Sequence, residues 1–447
     1  MPVQSETSRD GPIWAENWQD QSYWLDGAPA VPEISQTLPT DADVVIVGSG
    51  YTGLNAAIET ARAGRSTLVL DAGPPGWGCS TRNGGQISTS VKPSLQKLAA
   101  KYGERRAHAI RNEGETALDW IETRIADEGI ACDFRRAGRF HAAHSASSYD
   151  QLARDAERFR RDEGIEAHPV PRGEQRSELG TDVYHGGLVF PKHAAVDPVR
   201  YHRGLLDRAV KAGAMVIGHC EVTGLAQDAS GHEVVTVKGR VRARDVIVAT
   251  NGYTGHLTPW LQRRVIPIGS YVIATEPLEP AVVDRLFPTD RIASDTCKVV
   301  YYYRTSPDRR RILFGGRVSA RETDPKVSGP RLYEDMCRIF PDLRGTRITH
   351  SWMGTVAYTF DELAHVGTHQ GVHYAMGYCG SGVSMASYLG MRLGQKVLGL
   401  QEGQTAFDGL PFPTRPLYTG TPWFLPPVVA WYRWRDRVQY NRARAPG

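Results

Sequence analysis

The chain has 447 residues, 41% of them hydrophobic, and a formal net charge of +4 with its lysines and arginines spread among the acids. That length suits two or three domains with sizeable cores, and the basic charge is too dispersed for a nucleic-acid binder. Six scattered cysteines, with no CxxC pair and no zinc-like Cys/His spacing, predict reduced thiols, no metal site and a cytoplasmic protein; no apolar run is long enough for a membrane span or a secretory signal.

The first informative segment runs from Asp41 to Gly73 and reads strand, glycine turn, helix, strand, acid. Val44, Val45, Ile46 and Val47 make a buried strand. The turn is Gly48-Ser49-Gly50-Tyr51-Thr52-Gly53. In such a turn Gly48 allows the tight bend, Gly50 lets the backbone approach a pyrophosphate, and Gly53 lets helix and strand pack closely. The helix "LNAAIETARAG" presents its free N–H groups to the diphosphate and stops at Gly64. A second strand, Thr67 to Leu70, ends on Asp71 and Ala72, where an acid accepts hydrogen bonds from ribose hydroxyls. FAD and NAD share this fingerprint.

The next segment separates them. A polar glycine-rich loop follows directly, with Ser80, Thr81, Arg82, Asn83, Gly84, Gly85 and Gln86, and it suits a long cofactor wrapped by backbone. A helical stretch follows, from Leu95 to Gly129. Strands in "DFRRAGRFHAAHS" and "GGLVFPKHAAVDP" bracket a helix from Tyr149 to Glu163. Helix and strand return from Pro198 to His219, and a meander then leads to the strand of "VIVATNGYT". The segments "PIGSYVIATEPL" to "RRILFGGR" are rich in strand and tyrosine; a short helix lies in "YEDMCRIFPDL". Finally "ITHSWMGTVAYTFDELAHVG" leads back, and Gly380-Ser381-Gly382-Val383 opens a last glycine-turn helix whose dipole suits a developing negative charge.

Taken together, "GxGxxG…DAG…GxGxSxRNGGQ", "VIVATNGYT", "GYCGSGVSMASYLGMRLGQKVLG" and "FPTRPLYTGTPWFLPPVVAWYRWRD" resemble the D-amino-acid oxidase family of flavoproteins, and within it the gamma-glutamylputrescine oxidase-like branch. The resemblance covers roughly Asp41 to Asp436. It implies an α/β fold: a discontinuous Rossmann-type FAD-binding domain (39–90, 186–265, 346–400) and an α+β substrate domain on a mainly antiparallel sheet (91–185, 266–345). An N-terminal extension (1–38) and a C-terminal tail (401–447) flank them. It also implies non-covalent FAD, with Val222 at the adenine, and Ala249, Thr250, Asn251, Gly252 and Gly354 on the cofactor.

The implied reaction is oxidation of an amine C–N bond to an imine, hydrolysed to an aldehyde and an amine or ammonia, with O2 or another electron acceptor. The partners are then a small-molecule amine and the acceptor; a homo-oligomer stays open. Oxidation of an N-methyl or D-amino acid, and a flavin subunit of a heteromeric complex, remain alternatives. An NAD(P)H reductase would need a second GxGxxG, which the sequence lacks.

For the chemistry itself the candidates are aromatic residues that could cage an amine, namely Tyr271, Tyr303 and Trp352, and Lys298 as an oxygen-activating cation. In "KVVYYYRTS" Tyr301 and Tyr303 share one strand face and Tyr302 the other. Asp361 and His365 read as turn and packing residues. The basic aromatic tail reads as a helix packed on its own domain or on a partner subunit, with a membrane surface as the alternative. Sarcosine oxidase-like relatives grip a carboxylate with a lysine two residues past the last glycine of the turn. Here that position is Ser384, which predicts a substrate with no carboxylate on the reacting carbon unless Arg82 or Arg304 supplies the charge.

Overall fold

The computed structural model describes residues 13–89, 91–229, 231–316 and 324–444. Residues 1–12 of the N-terminal extension, 445–447 of the tail, Ser90, and Arg317 at the end of "RRILFGGR" lie outside the described residues.

Two sheets organise the molecule. In the first, five strands run parallel in the order Val372–Met376, Gly239–Val248, Asp41–Val47, Thr67–Leu70 and Met215–Ile217. Its central strands carry long apolar runs because both faces are buried: Val44 and Ile46 enter one core, Val45 and Val47 another. Helix Tyr51–Arg62 lies there between helices Gly382–Val397 and Pro198–Lys211, and its Ala56, Ala57 and Ala61 are all buried. Gly390 and Gly394 make the close approach possible: a Cβ at Gly390 would stand 2.4 Å from the Thr52 carbonyl oxygen.

The second sheet has nine strands among the described residues, and all but two of its pairings are antiparallel. Its core gathers Phe140, Tyr271, Tyr303, Phe314, Phe340 and Met336. The fold class is therefore α/β with a dinucleotide-type sheet and a mainly antiparallel second sheet.

The sheets divide the chain differently from the sequence-based boundaries. Strands Gly187–Phe190 and Ile348–Thr359 pair within the second sheet, although they fall inside the expected FAD segments. Helix Glu104–Asp127, expected in the substrate domain, packs its Ala107, Ile110, Ala117, Leu118 and Ile121 into the core of the dinucleotide side. The flanks are integral too. Strand Trp14–Gln19 pairs in parallel with the strand Ile348–Thr359. Helix Leu425–Arg444 places Leu425, Val428, Val429 and Tyr432 on the wall of the main cavity, and Asp436 accepts the backbone N–H groups of Lys298 and Val299 (3.2 and 3.1 Å). Among the described residues, no helix is long and apolar enough to cross a membrane.

Candidate functional site

A cavity of about 1820 Å³ runs between the two sheets. At one end the turn Gly48–Gly53 meets the start of helix Tyr51–Arg62. Gly48 has φ of +106°, a left-handed value suited to glycine, and a Cβ there would lie 2.9 Å from the Ala249 carbonyl oxygen. A Cβ at Gly53 would stand 1.9 Å from the Gly48 carbonyl oxygen. The turn is thus shaped by contacts that exclude any side chain, and it leaves the helix N-terminus open to the cavity.

Asp71 lines the same end. It accepts the Ser49 N–H and hydroxyl at 2.9 and 2.6 Å, and the Gly73 N–H at 3.0 Å. The carboxylate therefore locks the turn while its cavity-facing side could accept ribose hydroxyls. His202, buried behind the turn, donates through Nε2 to the Ser49 carbonyl at 2.8 Å; burial pulls its pKa down to about 4, so the ring stays neutral. Nothing in the sequence pattern pointed to it.

The loop 80–86 is gripped through its carbonyls. Ser22 Oγ donates to Thr81 O (3.0 Å), Trp352 Nε1 to Arg82 O (2.9 Å), Trp24 Nε1 to Asn83 O (2.9 Å) and an Arg304 Nη to Gly85 O (2.9 Å). From within, the Asn83 side chain ties the Cys79 and Ser80 carbonyls and the Gly85 N–H. Two of these anchors come from the N-terminal extension. They explain why so glycine-rich a segment holds one shape.

Most of the expected cofactor residues line the cavity. Ser49, Gly53, Thr81, Gly85, Gly252 and Ser381 do not, and they stand behind it as support. The candidates for chemistry fare differently. Tyr271 and Tyr303 are buried in the core of the second sheet, and Tyr303 donates to the Tyr184 hydroxyl at 3.0 Å. Trp352 is buried and serves the loop. None of the three lines the cavity. The alternation in "YYYRT" was legible, but not which face points inward: Tyr302 faces the cavity, with its hydroxyl 2.8 Å from Ser270 Oγ. Lys298 lines the cavity from an exposed position.

Neither arginine considered for a carboxylate is placed simply. Arg304 is fully enclosed and bonded to the Gly85, Val196 and Thr305 carbonyls. Arg82 lines the cavity but lies over the Trp77 ring, 4.7 Å from its centroid. Ser384 donates to the Ser88 carbonyl at 3.4 Å. His365 and Asp361 form a buried pair at 3.0 Å, with the imidazole stacked on Phe412, as packing residues do. Burial pushes the thiols of Cys79 and Cys379 up to about 11, so neither is a ready nucleophile.

At the far end the wall is polar. Arg139 and His141 project from strand Arg139–Ala142 beside Ser294, and the His141 Nδ1 lies 2.9 Å from Ser294 Oγ. Burial, then Arg139 and Lys92, drives the His141 pKa down to about 3, leaving it neutral. Sequence reasoning missed these residues, because they have no motif and meet only through the strand register Ser294↔His141.

This geometry, with a glycine-turn helix at each of two places on one long cavity, is accompanied by a direct family match. The model of a family described as FAD dependent oxidoreductase (DAO) fits residues 43–396. The chain belongs to this family. It is an FAD-dependent enzyme, and the open helix N-terminus, the glycine cradle and the second turn at Gly380–Gly382 suit that cofactor. The flavoenzyme is 31% identical to gamma-glutamylputrescine oxidoreductase of Escherichia coli over 403 residues, 89% of this chain and 93% of that one. It is 29% identical to a probable oxidoreductase, OrdL, of Haemophilus influenzae over 378 residues, 83% of this chain and 86% of the other. In fold it resembles the crystal structure of glycine oxidase from Geobacillus kaustophilus, with a TM-score of 0.70 at 21% identity, covering 85% of this chain and 99% of that one.

Proposed function

We propose that the enzyme oxidises the C–N bond of an acylated diamine to an imine, which water hydrolyses to an aldehyde and ammonia, with O2 as the acceptor. The observation that carries this reading is the single cavity that joins the dinucleotide cradle to the Tyr302 face of the second sheet. The similarity to gamma-glutamylputrescine oxidoreductase supports it. In this reading the diphosphate of FAD lies at the turn Gly48–Gly53, Asp71 takes the adenosine ribose, Val222 borders the adenine, and the ring system lies between loop 80–86 and the turn Gly380–Gly382. FAD supplies the two-electron acceptor when bound; the protein supplies position and electrostatics.

The amine must reach the cavity unprotonated to release hydride. The neutral His141 and the burial of the chamber's polar groups favour that state, because a low-dielectric site disfavours an unpaired ammonium. Tyr302 and Tyr358 shape the wall, and helix Leu425–Arg444 adds an apolar side that limits water.

Steady-state rates over a panel of amines test this. We expect kcat/KM for γ-glutamylputrescine to exceed that for glycine, sarcosine and simple D-amino acids by about 100-fold, the discrimination expected when a substrate's remote contacts are used in the transition state. If glycine, sarcosine or a D-amino acid is the best substrate, the acyl-diamine reading is wrong.

A further inference from the structure

Lys92 follows the short strand Gln86–Ile87 and lines the cavity, exposed to its space. Among the described residues its ammonium makes no hydrogen bond and no ion pair. Arg139 faces the same chamber from the second sheet. Its one side-chain hydrogen bond is long, 3.5 Å from Nη2 to the Gln86 amide oxygen, and its Nε is buried without a partner.

Lys92 feels the charge of Arg139. Burial, then the charge of Arg139, lowers the Lys92 pKa; burial lowers that of Arg139 to about 10. Arg139 stays charged near neutrality, whereas His141 and His193 beside it are neutral, chiefly through burial. The acids on the cavity wall are engaged or apart. Asp155 pairs with Arg158, Asp295 is held by the Cys297 and Tyr301 N–H groups, Asp71 locks the far turn, and Glu362 attracts Lys92 without forming an ion pair with it. Glu221 also lines the wall and exerts no charge effect on either cation. Two positive charges on one wall with no acid paired to either are costly, and an arriving anion relieves that cost.

The site also has a place along the cavity. Cys379, which precedes the turn Gly380–Gly382, lies within electrostatic reach of Lys92, and the Ser88 carbonyl of the same loop meets Ser384 on the helix that the turn opens.

We infer that Lys92 and Arg139 receive a carboxylate carried by the substrate, so that the enzyme selects amines bearing an anionic group. This rests on the acyl-diamine reading and deepens it: the acyl portion carries the carboxylate. The guanidinium offers a planar fork and the lysine a movable point charge, a combination suited to a carboxylate.

N-glutarylputrescine and N-pentanoylputrescine share the reacting amine and the chain length, and differ in the terminal carboxylate. The wild-type holoenzyme should favour the glutaryl compound by about 100-fold in kcat/KM, the scale of one or two charge-assisted hydrogen bonds. Lys92→Met should erase most of that preference by slowing the glutaryl compound alone, and Lys92→Arg should restore much of it. Equal rates for the two compounds in the wild type would overturn the inference while leaving the acyl-diamine reading standing. An equal loss on both in Lys92→Met, or weaker FAD binding, would assign the lysine to the cofactor and also overturn it. If neither compound is oxidised, the acyl-diamine reading fails, and calorimetric titration of the holoenzyme with glutarate decides the anion site by itself. Binding at least about 10-fold weaker in Lys92→Met supports the site. No binding, or equal binding, refutes it.

Discussion

Replacing Gly53 with alanine will leave the purified protein colourless. The added methyl would stand 1.9 Å from the Gly48 carbonyl oxygen and 3.2 Å from the Ile46 Cγ2, and the first of these is backbone that cannot swing aside. Relief requires helix Tyr51–Arg62 to move off strand Asp41–Val47. That movement carries the helix N-terminus away from the turn and disturbs its contact with helix Gly382–Val397. Overpacking of a soft core costs about 1–3 kcal/mol, and a clash with backbone belongs at or above the top of that range. FAD affinity should fall by at least about 100-fold, roughly 2.7 kcal/mol. Titration of the apoprotein with FAD, followed by flavin fluorescence, measures it. An unchanged dissociation constant would mean that the turn is not where the cofactor's diphosphate lies.

Arg304→Met removes the strongest of the four grips on the loop. The guanidinium is buried and donates to the Gly85, Val196 and Thr305 carbonyls at 2.9, 2.9 and 3.1 Å. Its ring neighbour is Trp24, which itself holds the Asn83 carbonyl, with Arg304 Cζ 5.3 Å from the ring centroid. Two effects oppose each other. Hydrogen bonds from a charged group contribute about 1.5–3 kcal/mol apiece, and carbonyls left unsatisfied add to the loss; against this, a buried cation no longer has to be desolvated. The Gly85 carbonyl keeps its bond from the Val196 N–H, so the Val196 carbonyl suffers most. The net loss should be about 3 kcal/mol of stability in urea unfolding, with FAD affinity falling by about 30-fold. Arg304→Lys should recover less than half, because an ammonium cannot reproduce the fork. If Arg304→Met unfolds as the wild type does, the loop is held by its own Asn83 staples and not from outside.

The dinucleotide end was legible in the sequence because one continuous segment builds it. Strand, turn, helix and Asp71 are all local, and their spacing states their geometry. The loop 80–86 was legible as a cofactor loop, but its supports were not: Ser22 and Trp24 lie far upstream, Arg304 and Trp352 far downstream, and only the tertiary fold brings them to the carbonyls of Thr81, Arg82, Asn83 and Gly85.

The substrate end shows the same limit more sharply. Tyrosine alternation fixes which residues share a face, yet the inward face depends on which side the helix Pro325–Ile339 covers; that helix packs with Tyr303 and Tyr271, leaving Tyr302 to the cavity. Lys92 looks in sequence like any lysine in a polar turn. Its meaning comes from Arg139, which reaches the same chamber from a strand nearly fifty residues away, as the numbers show.

The most direct test is anaerobic. Holoenzyme mixed with γ-glutamylputrescine in the absence of O2 should lose its visible flavin absorption within the turnover time, recover it on admission of air, and keep it on addition of NADPH alone. Rapid bleaching by NADPH with none by the amine would contradict the account and place the enzyme among the reductases.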